Sequence, residues 1–338
     1  MAVTMKDIAE ITGVSIATVD RALKNRGRIN PDVAARIRKV AEELNYKTNN
    51  IAKSLSIRNR QLKIAIVLHI QHASFFDEVE KGIQKAQKDI EDYGITIQIY
   101  RSKSFNAEDQ LKQINLALSE GASGLILVPI DHELIINKII ELHSSGFPVV
   151  FLSNFLDIVQ PIPSVRCDYI ASGRIAAGLI RLLSRGHGNV LVFSNSFSML
   201  GHKHRVSGFS DALAQFCPDM HISGIIELPS DIIDTYQTVY SALKTYPCQY
   251  VLFSGNSQAG LKAIQDYSKD IVSVFYDLTE VTKQALIQDQ ISAVIDQTPI
   301  HQGHRAVMML FEHLTSDTPL TADKLISCQI LLKESFQS

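Results

Sequence analysis

The chain has 338 residues, 46% of them hydrophobic and 20% charged, with a formal net charge of −2. These are the proportions of a soluble globular protein with a large core, long enough for two or three domains. No apolar run approaches the eighteen residues of a membrane span, the start lacks a basic-then-apolar leader, and the four scattered cysteines form no CxxC pair, so the chain is expected in the cytoplasm with reduced, buried thiols.

The net charge hides an asymmetry. Residues 1–60 hold twelve Lys/Arg against six Asp/Glu, whereas the remainder holds twenty-one against twenty-nine. A basic head on an acidic body suggests a polyanion partner for the head alone. In that head, Thr4 is placed to cap a first helix whose apolar face is Met5, Ile8 and Ala9. Gly13 stops it, and Ser15 caps a second helix with Val19, Ala22 and Leu23 inward. Asn30-Pro31-Asp32 starts a third, with a capping side chain, proline at the first position and an acid favouring the helix dipole. Val33, Ile37, Val40, Ala41 and Leu44 recur along it at helical spacing. Three short helices with a glycine turn between the first two make a helix-turn-helix unit.

Residues 49–57, NNIAKSLSI, are fewer than the roughly 12–15 that an isolated helix needs in water. From Lys63 onward, short apolar runs alternate with amphipathic stretches: KIAIVL, ITIQIY, GLILV and PVVFL, then NVLVF, YVLF, IVSVFY and ISAVI. This pattern predicts parallel sheets covered on both faces. The count is too large for one sheet. We therefore expect two doubly wound lobes, the first over about 63–160 and 299–324, the second over about 161–298 and 325–338. In such folds ligands sit at the carboxyl ends of strands.

DIAEITGVSIATVDRAL, AARIRKVAEELNY and NNIAKSL together resemble the DNA-binding head of the LacI/GalR family of bacterial transcription regulators, without a gap over residues 3–57. The resemblance implies a helix-turn-helix domain over 1–48, a hinge over 49–62, and a two-lobed effector-binding and dimerisation domain of the periplasmic-binding-protein type I class over 63–338. It puts the recognition helix at 15–24, with Ile16, Ala17 and Arg21 at base-reading positions. Arg21 suits a bidentate contact to guanine, and Ile16 and Ala17 suit thymine methyls. Asp20 stands where the family often has serine, beside the DNA. Thr4, Ser15, Thr18, Asn25 and Arg28 are phosphate-positioning candidates, and Asn49 opens the hinge. Leu55 matches the family's minor-groove wedge, in a hinge that becomes helical only when two copies meet on DNA.

In the body, the resemblance is to the module shared with ribose-type binding proteins. Phe75-Phe76 match an aromatic pair that stacks on a sugar face, and Arg205, Asn256, Asp277 and Gln297 match polar ligand positions. His202 and His204 are expected beside Arg205 in the cleft. Taken singly, Asn256 reads equally as a helix cap, and Asp277 as a cap of the next helix. Two departures stand out: Ser153-Asn154 replaces a strand-end pair that is often Asp-Arg, and the aromatic expected near Ile232 is missing, leaving one wall of a ring sandwich absent.

No P-loop, GxGxxG or GxSxG motif occurs, and the pairs His202/His204 and His301/His304 lack a third metal ligand. No catalytic residue, metal or cofactor is expected. The reading is a homodimeric regulator, more a repressor than an activator, that binds a pseudo-palindromic operator and answers to a sugar, polyol or sugar derivative. The alternatives are a solute-binding protein of a transport system, or a regulator governed by a protein partner.

Overall fold

A computed structural model of the chain describes residues 5–23, 29–44, 50–69, 73–102, 105–159, 161–229, 231–316, 318–320 and 323–336. They divide into two compact units, one running through Gln61 and including the Asp92–Gly94 turn, the other formed by Leu62–Glu91 and the chain from Ile95 onward.

The first unit holds α1 (Met5–Thr12), α2 (Ile16–Leu23), α3 (Pro31–Glu43) and α4 (Asn50–Arg58). Its small core is Ile8, Ala9, Val19, Ala22, Ala34, Ile37 and Ala41, with Leu23, Val33, Val40 and Leu44 half-buried around it. Gly13 turns the chain at φ +64° with nothing within 4 Å of where a Cβ would stand, so backbone conformation alone selects glycine there. Asn30 Oδ1 accepts from the Asp32 amide at 2.9 Å and caps α3 as its sequence requires. Arg36 Nη2 donates to the Thr12 carbonyl at 2.8 Å and ties α3 to the end of α1.

The hinge differs from the expectation. Asn50–Arg58 is helical in a single chain, because Ile57 is buried and Arg58 Nε donates to the Asp92 carbonyl at 3.0 Å.

Among the described residues, the second unit contains twelve strands in two six-stranded sheets. The first sheet is built from β1 (Lys63–His69), β2 (Thr96–Ser102), β3 (Gly124–Leu127), β4 (Val149–Leu152), β5 (Ser164–Cys167) and β11 (Lys324–Ile326). Its order is β11-β5-β4-β3-β1-β2, parallel throughout. The second comprises β6 (Gly188–Ser194), β7 (Met220–Glu227), β8 (Tyr250–Phe253), β9 (Val272–Tyr276), β10 (Ala293–Asp296) and β12 (Gln329–Leu331), in the order β12-β10-β9-β8-β6-β7. Only β12 runs antiparallel to its neighbour there.

Helices α5 (Ala73–Asp89), α6 (Ala107–Ser119), α7 (Glu133–Ser144) and α13 (Pro299–Thr315) accompany the first sheet. The second is covered by α8 (Tyr169–Ser184), α9 (Leu200–Phe216), α10 (Ile232–Thr245), α11 (Ser257–Tyr267) and α12 (Glu280–Ile287). Side chains on both faces of each sheet are buried, which accounts for the near-continuous apolar runs.

The lobe boundaries need correction. Ser164–Cys167 belongs to the first sheet, not the second, because it pairs with β4 and β11 and the Asp323 carboxylate accepts from both the Ser164 amide and its hydroxyl, each at 2.8 Å. The chain therefore crosses between lobes three times: after β5, after β10, and in the two-residue link between β11 and β12. The cysteines also differ from the expectation, since Cys167 and Cys217 are buried but Cys248 and Cys328 are only half-buried.

α13 returns to the first lobe by lying directly on α5. A Cβ at Gly82 would stand 2.0 Å from the Ile300 carbonyl oxygen, and one at Gly303 would stand 2.1 Å from that of Val79. Gly82→Ala is expected to lower unfolding free energy by about 1–3 kcal/mol through forced separation of two backbones. Urea denaturation would measure it, and an unchanged midpoint would mean that the two helices part without cost.

Candidate DNA interface and ligand cleft

In the first unit the second helix presents a polar and apolar face to solvent. Ser15 Oγ accepts from the Thr18 amide at 3.2 Å and lies 2.9 Å from the Thr18 hydroxyl, capping the helix. Val19 and Ala22 are buried beneath it. Ser15, Ala17 and Arg21 are exposed, Thr18 and Asp20 half-buried, and Ile16 is 49% exposed. An isoleucine held outward on a short helix lacks an intramolecular reason, and beside it Ala17 and Arg21 share a face at i, i+4, with Arg21 Nε donating to the Ala17 carbonyl at 3.1 Å. Leu55 on α4 is 55% exposed. Thr4, Asn25, Arg28 and Asn49 lie outside the described residues.

In the second unit, the expected ligand residues fall at strand ends. β1 lies between β2 and β3, and β6 between β7 and β8. The chain order reverses at these two strands, and their carboxyl ends are where ligands of such sheets bind. His69 ends β1 and Asn195 follows β6. A narrow cavity of about 40 Å³ is lined by Phe75, Phe76, Ser153, His202, Asp277 and Gln297 from the expected set, together with His69, Phe105, Tyr169, Asn195 and Met199. Phe75, Asn195 and Asp277 continue into a wider one of about 350 Å³, which adds Asn256, Gly255 and Tyr276. That volume lies at the lower end of small-ligand sites.

The aromatic corner is compact. Phe75 meets Phe76 edge-on at 5.3 Å between centroids, and His69 meets Phe105 at 5.0 Å and Phe76 at 6.4 Å. The Ile232 position, where an aromatic is missing, is 52% exposed and belongs to neither cavity wall. The aromatic lining comes instead from Phe105, Tyr169 and Tyr276.

The polar groups divide into two layers. Gln297 Nε2 donates to Asp277 Oδ1, and burial pushes the Asp277 carboxyl up to about 6 against the downward pull of the Arg205 guanidinium. Asn256 Oδ1 accepts from the Ala259 amide at 3.0 Å and so caps α11 while lining the wider cavity. α12 is capped by Thr279 rather than Asp277. His202 Nδ1 lies 2.9 Å from the Ser196 carbonyl. His204 packs edge-on against Phe155. Arg205 stands behind the wall: its guanidinium is 4.0 Å from the Tyr276 ring centroid and 5.3 Å from that of Tyr169, and Nη1 donates to Ser254 Oγ at 2.8 Å.

Asn154 lies on neither wall. It is fully buried, its Nδ2 donates to the Pro129 carbonyl at 2.7 Å, and its Oδ1 accepts from the Gly201 amide at 3.1 Å. It straps the two lobes together, and its neighbour Ser153 faces the cavity. Three non-glycine residues at these strand ends occupy the left-handed region: Ser153 (φ +54°), Asp277 (φ +69°) and Thr298 (φ +51°). Backbone strain of this kind gathers at ligand clamps. His301 and His304 line a separate hollow, His304 Nε2 lies 2.7 Å from Asp89 Oδ2, and no cluster among the described residues is built to hold a metal ion.

Comparison with known proteins agrees with this division. Residues 4–49 match the model of bacterial regulatory proteins of the lacI family, and residues 64–318 match the periplasmic binding protein domain. Catabolite control protein A of Priestia megaterium is 23% identical over 327 residues, covering 94% of both chains. The ribose operon repressor of Bacillus subtilis (strain 168) is 25% identical over 318 residues, covering 91% of this chain and 90% of that one. Among solved structures, the myo-inositol binding protein of Caulobacter, bound to myo-inositol, has a TM-score of 0.75 at 17% identity, covering 82% of this chain and 95% of its own. The glucose-galactose binding protein GanP of Geobacillus stearothermophilus has a TM-score of 0.72 at 20% identity, covering 81% and 98%.

The raised Asp277 carboxyl fixes the sign of a pH effect. Between about 4 and 6 the folded chain holds a proton there that the unfolded chain releases, so this group adds stability as pH falls through about 6. Asp277→Asn is therefore expected to melt at or above the wild type at pH 7.5, with the gap closing by pH 5. A variant less stable than the wild type at pH 7.5 would show that the Arg205 charge outweighs desolvation.

Proposed function

Because this chain belongs to the lacI family of bacterial regulatory proteins, we propose that it represses transcription as a cytoplasmic homodimer whose operator affinity is set by a small polyhydroxylated ligand in the interlobe cleft. The observation that carries this reading is the pairing, in one chain, of an outward-facing α2 with a cavity walled by both lobes. Each head reads one half of a pseudo-palindromic operator, so protein two-fold symmetry mirrors the DNA. Ile16, Ala17 and Arg21 face base edges, Ser15 and Thr18 face phosphates, and Leu55 enters the minor groove from α4. Among the described residues, no helix is long and apolar enough to cross a membrane.

The cleft suits a small ring bearing hydroxyls. Phe75, Phe76 and Phe105 cover its CH surface without losing hydrogen bonds. Asp277 accepts from hydroxyls, while Asn256 and Gln297 add amide donors. A relative named for ribose and a fold neighbour holding myo-inositol support the class. Closure of the lobes on the ligand shifts the hinge, a coupling that is typically about 1–3 kcal/mol. The relatives are transcription regulators, and chemical turnover is no part of this reading.

Thermal melting of the full chain against pentoses, hexoses, inositols and sugar phosphates tests the cleft. A ligand at 100-fold its dissociation constant adds about 2.7 kcal/mol. A shift is expected for one class and lost in Asp277→Ala, and a panel without any shift would turn the assignment toward a protein partner. Arg21→Ala is expected to lose about 1–3 kcal/mol at one operator base pair and relax specificity there, read by selection of binding sites from randomised DNA. An unchanged site preference would remove Arg21 from base reading.

A further inference from the structure

The three crossings between lobes run side by side, and two cysteines stand in them. Cys167 ends β5, and Cys328 lies in the link between β11 and β12. Parallel pairing sets Cys167 opposite Ile326, two residues before Cys328, and the two thiols are near enough for each to shift the other's ionisation. Cys167 Sγ is 3.4 Å from the Gln297 carbonyl oxygen, where the second crossing leaves β10, and 3.6 Å from Gln302 Nε2. Cys167 thus stands at the first crossing and touches the second, and Cys328 stands in the third.

The two thiols are unequal. Cys167 is fully buried, and the neighbouring Cys328 thiol together with burial pushes its own thiol far up. Cys328 is half-buried and packs on the second-lobe core. The neighbouring Cys167 thiol draws it down, with further help from Ser172 and Arg205. Cys328 is the more accessible of the two and the one drawn toward the thiolate, the nucleophilic form, so it is the entry point, and only a small oxidant fits so enclosed a pair.

We propose that Cys167 and Cys328 are a reversible thiol-oxidation site that locks the hinge when the protein meets a hydroperoxide. The Cys328 thiolate attacks the outer peroxide oxygen, the O–O bond breaks, and Cys328 becomes a sulfenic acid. With hydrogen peroxide the departing hydroxide leaves as water. The Cys167 sulfur then loses its proton and attacks the Cys328 sulfur, forming the S–S bond and expelling a second water. Two thiols give up two electrons, and one peroxide becomes two waters. A dithiol reverses the bond by exchange. The link joins the first crossing to the last and limits the torsions that hinge closure requires. Because it also closes a long loop of chain, it constrains the unfolded state.

The test treats the full-length protein with hydrogen peroxide, alkylates remaining thiols, and maps peptides without reductant. A peptide joining Cys167 to Cys328 is expected, with two of the four thiols lost and a melting temperature that rises by several degrees and falls back with dithiothreitol. Cys217→Ser should behave as the wild type, and Cys328→Ser should give neither crosslink nor rise. The proposal fails if both cysteines are alkylated after peroxide, if Cys328 proceeds to sulfinic acid without a crosslink, or if the rise survives in Cys328→Ser. Should Cys328→Ser not fold, the wild-type peptide map decides alone.

Discussion

One buried side-chain amide holds the place where the two lobes join. Gln302, inaccessible to solvent, donates from Nε2 to the Gln297 carbonyl at 2.8 Å and accepts from Ser153 Oγ at 2.7 Å. The Tyr169 hydroxyl donates to the Ser153 carbonyl in turn. The end of β4, the start of α8 and the exit from β10 therefore share one network. Buried polar groups are costly unless fully partnered, so these three chain segments cannot drift independently. The left-handed backbone at Ser153 and Thr298 is sustained by that constraint. It is also what aims Ser153 and Gln297 into the cavity.

The same economy of position separates support from recognition within the cleft. Arg205 and Asn154 are as polar as any residue nearby, yet both are engaged by protein partners. Asp277 and Gln297 remain on the cavity wall. A guanidinium between two tyrosine rings keeps a positive charge close to Asp277 without exposing it. The carboxylate is thus held in a dry site by a cation one layer back. That arrangement favours neutral, hydroxyl-rich ligands over cations, since the cleft's own negative charge is already balanced.

Much of this was legible before any coordinates. Seven strands announce themselves because both their faces are buried, which leaves no room for polar alternation, and the edge strand Thr96–Ser102 does so by its recurring Ile97 and Ile99. The strand Ser164–Cys167 is hidden by Arg166 in its middle, and Met220–Glu227 by its place at a sheet edge with mixed exposure. In the cleft, Asp277 and Gln297 come from the family resemblance and also follow strands, whereas His69 and Asn195, which follow strands too, carry no such match. Phe105 carries no periodic signal, and its role depends on how β2 leads into α6. That Asn154 straps the lobes while Ser153 faces the cavity is a matter of backbone direction at φ +54°, which no local pattern encodes. The head was read most fully because its caps, glycine turn and apolar spacing are all local.

The sheet order also has a consequence for biosynthesis. The head closes its core within residues 5–44, and its contacts are complete soon after they leave the ribosome. Each lobe, by contrast, waits for a strand from the far end of the chain: β11 for the first sheet and β12 for the second. Neither edge is covered until residues 324–331 have been made. Contacts of such long sequence separation form late. A newly synthesised chain therefore carries a finished DNA-reading head while its sensor is still assembling, and the switch that governs the head comes into being last.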